Sequence, residues 1–176
     1  MKAFADITVT AVINAPVHRI NLTEWLFTLK DEEYQACSSG HITAGGSVSR
    51  EGKWMSINVE QVADTLLVQH YVEDISNEDH CRVNSLSDSF SPAGRTQLNV
   101  TWELRVKKIS DTACEFSNRV IVSPTEAFLN LLEAAQIKDV APVKNQMAQN
   151  VQAHNEEETP LFAKDIETKA LTGIWD

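Results

Sequence analysis

The stretch Gln97-Leu98-Asn99-Val100-Thr101-Trp102-Glu103-Leu104-Arg105-Val106-Lys107-Lys108-Ile109 decides the fold class. Leu98, Val100, Trp102, Leu104 and Val106 fall on one side of an extended chain, and Asn99, Thr101, Glu103, Arg105 and Lys107 on the other. Period-two alternation puts the first set in a core and the second in water. The next run repeats the pattern, with Cys114, Phe116, Asn118, Val120 and Val122 against Glu115, Ser117 and Arg119. A sheet built from such strands has one dry face and one wet face, which excludes a parallel sheet buried on both sides.

Outward from this pair, strand-like runs recur and each ends in turn chemistry. They cover residues 41–49, 54–62, 66–75, 80–90, 97–109 and 113–122, closed by Arg50-Glu51-Gly52, Ala63-Asp64, Ser76-Asn77-Glu78-Asp79, Ser91-Pro92-Ala93-Gly94, Ser110-Asp111 and Ser123-Pro124. Connections this short favour antiparallel pairing of neighbours, because parallel pairing needs a crossover of about a dozen residues. The middle of the chain therefore reads as a six-stranded meander. A further β-branched strand over 6–13 precedes it and stops at Asn14-Ala15-Pro16. Val17, Ile20, Trp25, Leu26 and Leu29 then share a helical face, with a short second turn at Asp31-Glu32-Glu33-Tyr34.

Beyond the meander the pattern changes period. Ser123-Pro124-Thr125-Glu126 reads as a capping box with proline at the first helical position. Phe128, Leu131, Leu132 and Ala135 form one apolar stripe, Pro142 breaks or kinks the helical run, and Val143, Met147 and Val151 continue the seam. Glu156-Glu157-Glu158 reads as solvated, and Leu161, Phe162, Ile166 and Ala170 allow a last amphipathic helix. A dry sheet face needs a cover, and the C-terminal helix is the one element large enough. The fold class expected is α+β: a curved seven-stranded antiparallel sheet wrapped around a long C-terminal helix. Bent strands around one helix leave a cavity as a natural outcome.

Composition narrows function by exclusion. The 176 residues suit one domain with a sizeable core. A net charge of −10 and the absence of a dense Lys/Arg run argue against nucleic acid and anionic membranes. No apolar run reaches the length of a membrane-spanning helix. Cys37, Cys81 and Cys114 are odd in number and widely spaced, and no signal-like segment precedes them, so reduced thiols and a cytoplasmic setting are expected. No Gly-x-Ser-x-Gly nucleophile elbow is present, and Gly-x-Gly-x-x-Gly and the phosphate-binding loop are missing too, so no cofactor is expected.

With the element order in place, the chain resembles the START-like superfamily, also called SRPBCC or helix-grip, which includes polyketide cyclases and the birch pollen allergen family. The resemblance rests on Val12-Ile13-Asn14-Ala15-Pro16-Val17 after the first strand and on Ser123-Pro124 before the long helix. It covers about residues 5 to 157, so residues 1–157 are expected to form the domain and 158–176 an extension, helical or partly disordered. That extension ends in Gly173-Ile174-Trp175-Asp176 and could cover a cavity mouth or join a homodimer. The resemblance implies a central apolar cavity and the binding or carriage of a small hydrophobic molecule such as a lipid, polyketide or aromatic compound. A cyclase/aromatase-type enzyme and a protein-interaction module of co-chaperone kind, with a patch at Leu161, Phe162, Ile166 and Trp175, are the alternatives.

Several residues are candidates for the ligand site. His70, read on an apolar face with Leu66, Val68 and Val72, either orients a ligand or makes a structural hydrogen bond; Tyr71 has the opposite facing, so one of the two points inward. Asn118, on the dry face beside Phe116, must find a partner in protein, water or ligand. Trp102, Phe128, Leu132 and Met147 either line a pocket or fill a core. His80-Cys81 with Glu78-Asp79, and Cys37 with His41, hold metal-ligand types, but neither has a second half at a zinc spacing, so no metal site is expected from sequence.

Overall fold

The computed structural model describes residues 2–175; Met1 of the N-terminal stretch and Asp176 of the C-terminal one lie outside the described residues. Seven strands, β1 (Ala5–Ile13), β2 (His41–Val48), β3 (Trp54–Val62), β4 (Thr65–Ser76), β5 (His80–Ser91), β6 (Gly94–Ser110) and β7 (Ala113–Pro124), form one sheet. Its order is β1-β7-β6-β5-β4-β3-β2, antiparallel throughout. β2 to β7 pair in succession, as their short connections require. β1 pairs with the last of them, from Ala5 opposite Val122 to Ile13 opposite Cys114. The alternation expected in β6 holds: Leu98, Val100, Trp102, Leu104 and Val106 are all buried.

Helices α1 (Leu22–Thr28) and α2 (Asp31–Gln35) come after β1, and α3 (Glu126–Ala134) and α4 (Ala141–Thr172) after β7. The expected single helical face from Val17 is divided. A 3₁₀ turn occupies Val17–Arg19, and Asn21 starts α1 afresh because its side chain accepts from the Glu24 N–H at 2.9 Å. The start of α3 also differs from expectation. Ser123 and Pro124 still belong to β7, and the cap is Thr125, whose Oγ1 accepts from Phe128 N at 3.1 Å and donates to the Gln97 carbonyl at 2.6 Å.

Helix α4 is the gripped helix. It touches β1 at one edge of the sheet and β3 near the other. In a flat sheet those strands would lie five spacings apart, about 24 Å at ~4.8 Å each. The sheet must therefore curl around the helix. Pro142 does not break α4 but begins it, since a residue in the first turn needs no N–H partner. The helix also runs without interruption past residue 157. Phe162, Ala163, Ile166 and Ala170 are buried in the main core, and Trp25 Nε1 donates to Asp165 at 2.7 Å. Residues 158–172 are thus the best-packed half of the grip helix, and the apolar patch expected there is largely internal: Phe162 and Ile166 are fully covered.

Candidate functional site

The two halves of α4 face different surroundings. Its C-terminal half packs solidly, with Phe162 against Trp25 (ring centroids 5.1 Å apart) and Trp102 (5.8 Å). Its N-terminal half stands off the sheet. The seam Val143, Met147 and Val151 faces a cavity of about 600 Å³. The opposite walls are Leu98, Val100 and Trp102 of β6, Val120 and Val122 of β7, and Leu67 of β4. Phe128, Leu131 and Leu132 of α3 close one side. Exposed lining residues, Asp64, Pro92, Ala93, Pro142 and Gln146, mark where the cavity meets solvent.

The inner end of this apolar chamber is polar. Tyr34, Glu60, Gln69, Tyr71, His154 and Glu158 line it. Glu60 is buried; one carboxylate oxygen accepts from Gln69 Nε2 at 3.0 Å and the other from the Tyr34 hydroxyl at 2.8 Å. Glu158 is buried too, and its Oε1 accepts from Asn118 Nδ2 at 2.7 Å. His41 lies flat on Tyr34, ring centroids 3.7 Å apart, with Nδ1 2.7 Å from the Tyr34 carbonyl and Nε2 3.1 Å from Glu158 Oε2. His154 brings its Nε2 to 3.3 Å from Glu158 and 3.4 Å from Glu60. Both approaches are short, but neither has hydrogen-bond geometry, and the buried ring nitrogen lies between the two carboxylates. The side-chain atoms of His41, Glu60, His154 and Glu158 all come within 4.8 Å of one another.

The electrostatics result from this crowding. Burial favours neutral His154, but Glu158 and Glu60 outweigh it and push the imidazole up to about 11. Burial likewise raises Glu158, and the two histidines reverse this and pull it down to about 2. Tyr34 and Tyr71 are driven well above the ordinary phenol value by burial first and by the carboxylates second. Gly40 helps to bring His41 in. A Cβ there would lie 2.3 Å from the Gln61 carbonyl oxygen, so only glycine lets the start of β2 run this close to β3.

The structure sorts the residues expected from sequence. Trp102, Phe128, Leu132 and Met147 line the cavity. Phe116 and Asn118 are fully buried behind it. Asn118 is saturated within the protein, accepting from Trp102 Nε1 at 2.8 Å and donating to Glu158 and Thr159. His70 does not face inward. Its side chain is 46% exposed near Asp88, and Tyr71 takes the inner position instead. The apolar set Leu66, Val68 and Val72 lies on the outer face, because β4 pairs with β3 and β5 so that Leu67, Gln69 and Tyr71 look inward. Glu158, expected in water with Glu156 and Glu157, is buried among the histidines. Glu103, expected in water, is covered on the outer face by His80, Arg105 and Arg119 at 2.8, 2.9 and 3.3 Å.

Glu60, Gln69 and His154 carry no signal that the sequence analysis singled out, whereas Tyr71 entered it only as the alternative to His70 for the inward position. One signal could have found part of the group: His154 and Glu158 are four residues apart and continue the seam of Met147 and Val151, so they share its inner face. His41 lacks a zinc-spaced partner in sequence, yet three potential ligands reach it from β3 and α4, 19 to more than 110 residues away.

Among the described residues, no helix is long and apolar enough to cross a membrane. A scan of protein-family models finds no match, and a search of curated proteins finds no relative. Solved structures are informative about the fold. An aromatase/cyclase from a Streptomyces species superposes with a TM-score of 0.62 at 12% identity, covering 96% of this chain and 94% of that one. The protein Ara h 8.0201 gives 0.54 at 12% identity, covering 95% and 97%. A conserved protein from Geobacillus kaustophilus gives 0.54 at 11%, covering 95% of each chain. With its seven-stranded antiparallel wrap and long C-terminal helix, this chain has the helix-grip α+β fold that these structures share.

Proposed function

We propose that the protein binds a small, largely apolar molecule carrying one polar end, held in the chamber between α3, α4 and the sheet. The observation that supports this is the chamber's division: about 600 Å³ walled by aliphatic and aromatic side chains, with polar groups gathered at the inner end. Known small-molecule sites run from roughly 300 to 1,000 Å³ and combine an apolar lining with a few orienting polar groups. The apolar body of the ligand would lie against Met147, Val100 and Leu132, and its oxygen near Gln69, Tyr71 and His154. Filling the chamber tests this reading. Met147→Trp leaves the fold intact and removes most ligand-induced thermal stabilisation in a panel of aromatic and lipid-like compounds. If wild type retains no such compound in native mass spectrometry and none raises its melting temperature, the reading fails.

A second reading, turnover of the bound molecule by an aromatase/cyclase-like reaction, draws on the titratable groups at that inner end. Buried Glu158 and Glu60 beside His154 offer proton donors and acceptors in reach of a ligand carbonyl, whereas His70 on the outer face does not. Conversion of a bound polyketide-like compound that stops in Glu60→Gln, with binding retained, would favour turnover over carriage.

A further inference from the structure

We infer that His41, Glu60, His154 and Glu158 form a binding site for one divalent transition-metal ion of the zinc class. The geometry points to it. His41 Nε2, His154 Nε2, Glu60 Oε2 and Glu158 Oε2 are separated by 3.1, 3.3, 3.4 and 3.7 Å along the four nitrogen–oxygen edges of the group. A tetrahedral ion with metal–ligand bonds of about 2.0–2.2 Å spaces its ligands by roughly 3.3–3.6 Å. A salt-bridged histidine would instead aim one N–H at one carboxylate at about 2.8 Å. Here His154 Nε2 stands almost equally between Glu158 and Glu60, at 3.3 and 3.4 Å, and is buried without a hydrogen-bond partner, while His41 Nε2 lies 3.1 Å from Glu158 and 3.7 Å from Glu60.

The groups behind the four residues are also those a metal site uses. His41 Nδ1 contacts the Tyr34 carbonyl, which can only accept, so Nδ1 carries the proton and a neutral His41 turns its Nε2 lone pair to the centre. That lone pair faces Glu158 Oε2 at 3.1 Å, a repulsive contact unless a proton or a cation lies between them. Each carboxylate is oriented by its neighbours: Asn118 holds Glu158 Oε1 and leaves Oε2 for the centre, while Gln69 holds Glu60 Oε1 and the Tyr34 hydroxyl takes one lone pair of Glu60 Oε2, whose other lone pair is available to the ion. Two neutral imidazoles, two carboxylates and one divalent ion sum to zero charge, which removes the penalty of burying two carboxylates together. The mixed nitrogen and oxygen set suits zinc, cobalt or iron over calcium and magnesium, which prefer oxygen ligands alone. An ion can enter through the chamber, because Glu60, His154 and Glu158 line its inner end. The site does not depend on what organic molecule the chamber takes.

The test uses the full chain, stripped with a chelator and titrated with Zn²⁺ and Co²⁺ by calorimetry and visible spectroscopy. One ion per chain is expected, with the intense visible bands of four-coordinate cobalt and a higher melting temperature. Glu158→Gln and His154→Gln should each weaken zinc binding by at least about a hundredfold, whereas His70→Gln on the outer face should leave it unchanged. Circular dichroism confirms that each variant is folded, and the cobalt spectrum of wild type stands even where a variant is not. Wild type that takes up neither ion stoichiometrically, cobalt without the four-coordinate bands, or unaltered binding by a folded His154→Gln chain would each overturn the proposal and leave a cluster held together by protons alone.

Discussion

Phe162→Ala offers a direct test of where the core of this protein ends. Phe162 lies beyond residue 157, yet its side chain is fully buried, with ring centroids 5.1 Å from Trp25, 5.8 Å from Trp102 and 5.8 Å from His41. Truncating a buried phenylalanine costs about 3–5 kcal/mol, from lost transfer energy and from the cavity left behind. The three rings around it belong to α1, β6 and β2, so collapse into the void would need several elements to shift together, and the upper part of that range is expected. In a chain of this size each kcal/mol moves the midpoint by roughly 2–4 °C, so the melting temperature should fall by about 6–20 °C. Urea unfolding monitored by circular dichroism should show a lower midpoint with an unchanged slope. Leu161→Ala is the internal control: its side chain is 38% exposed, and a change within about 0.5 kcal/mol is expected. A loss below about 1 kcal/mol for Phe162→Ala, or equal losses at the two positions, would refute the packing argument and restore the segment after 157 as a peripheral extension.

Other outcomes can be checked with the same assay. Thr125→Ala should cost about 1 kcal/mol through loss of the α3 cap, and Ser123→Ala much less, because Ser123 is still in β7; the reverse order would show that the helix starts earlier. Glu103 gives an acid-limb prediction. Burial works to raise its carboxyl, but hydrogen bonds from His80 and Arg105 reverse this and bring it to about 2, below its ordinary 4.5. Its stabilising contribution is therefore complete above about pH 4.5 and is lost as the pH falls through about 2. Glu103→Gln should lower stability at neutral pH and flatten its decline over that acid window; parallel wild-type and variant curves would contradict the assignment. Finally, His70→Ala should leave stability and ligand retention nearly unchanged, as an exposed outer-face residue must, and any loss of ligand would mean that β4 faces the other way.

The fold was legible where local pattern and burial agree. The apolar residues of β6 alternate through its core stretch, with Glu103 the one outer position that is also buried, and the connections between β2 and β7 are too short for anything but antiparallel neighbours, so the meander and its one dry face derive from residues close in sequence. Trp102, Phe128, Leu132 and Met147 were legible as inner residues for the same reason, although no periodicity separates lining a chamber from filling a core. On β3 and β4 the pattern misleads. Their inner positions include Ser56, Asn58, Glu60, Gln69 and Tyr71, while Leu66, Val68 and Val72 face out, so a rule that sends apolar residues inward inverts β4 and puts His70 on the wrong side.

The sequence by itself therefore determined the order of elements, their pairing and the apolar stripe of the covering helices, because these depend on two- and four-residue periods. Only the tertiary structure decided the polar end of the chamber. Tyr34 and His41 flank a short loop, Glu60 lies on the next strand, and His154 and Glu158 come from a helix more than ninety residues further on. Nothing local requires them to meet. The curl of the sheet brings β2 and β3 against the middle of α4, and burial there crowds two carboxylates and two imidazoles into one group.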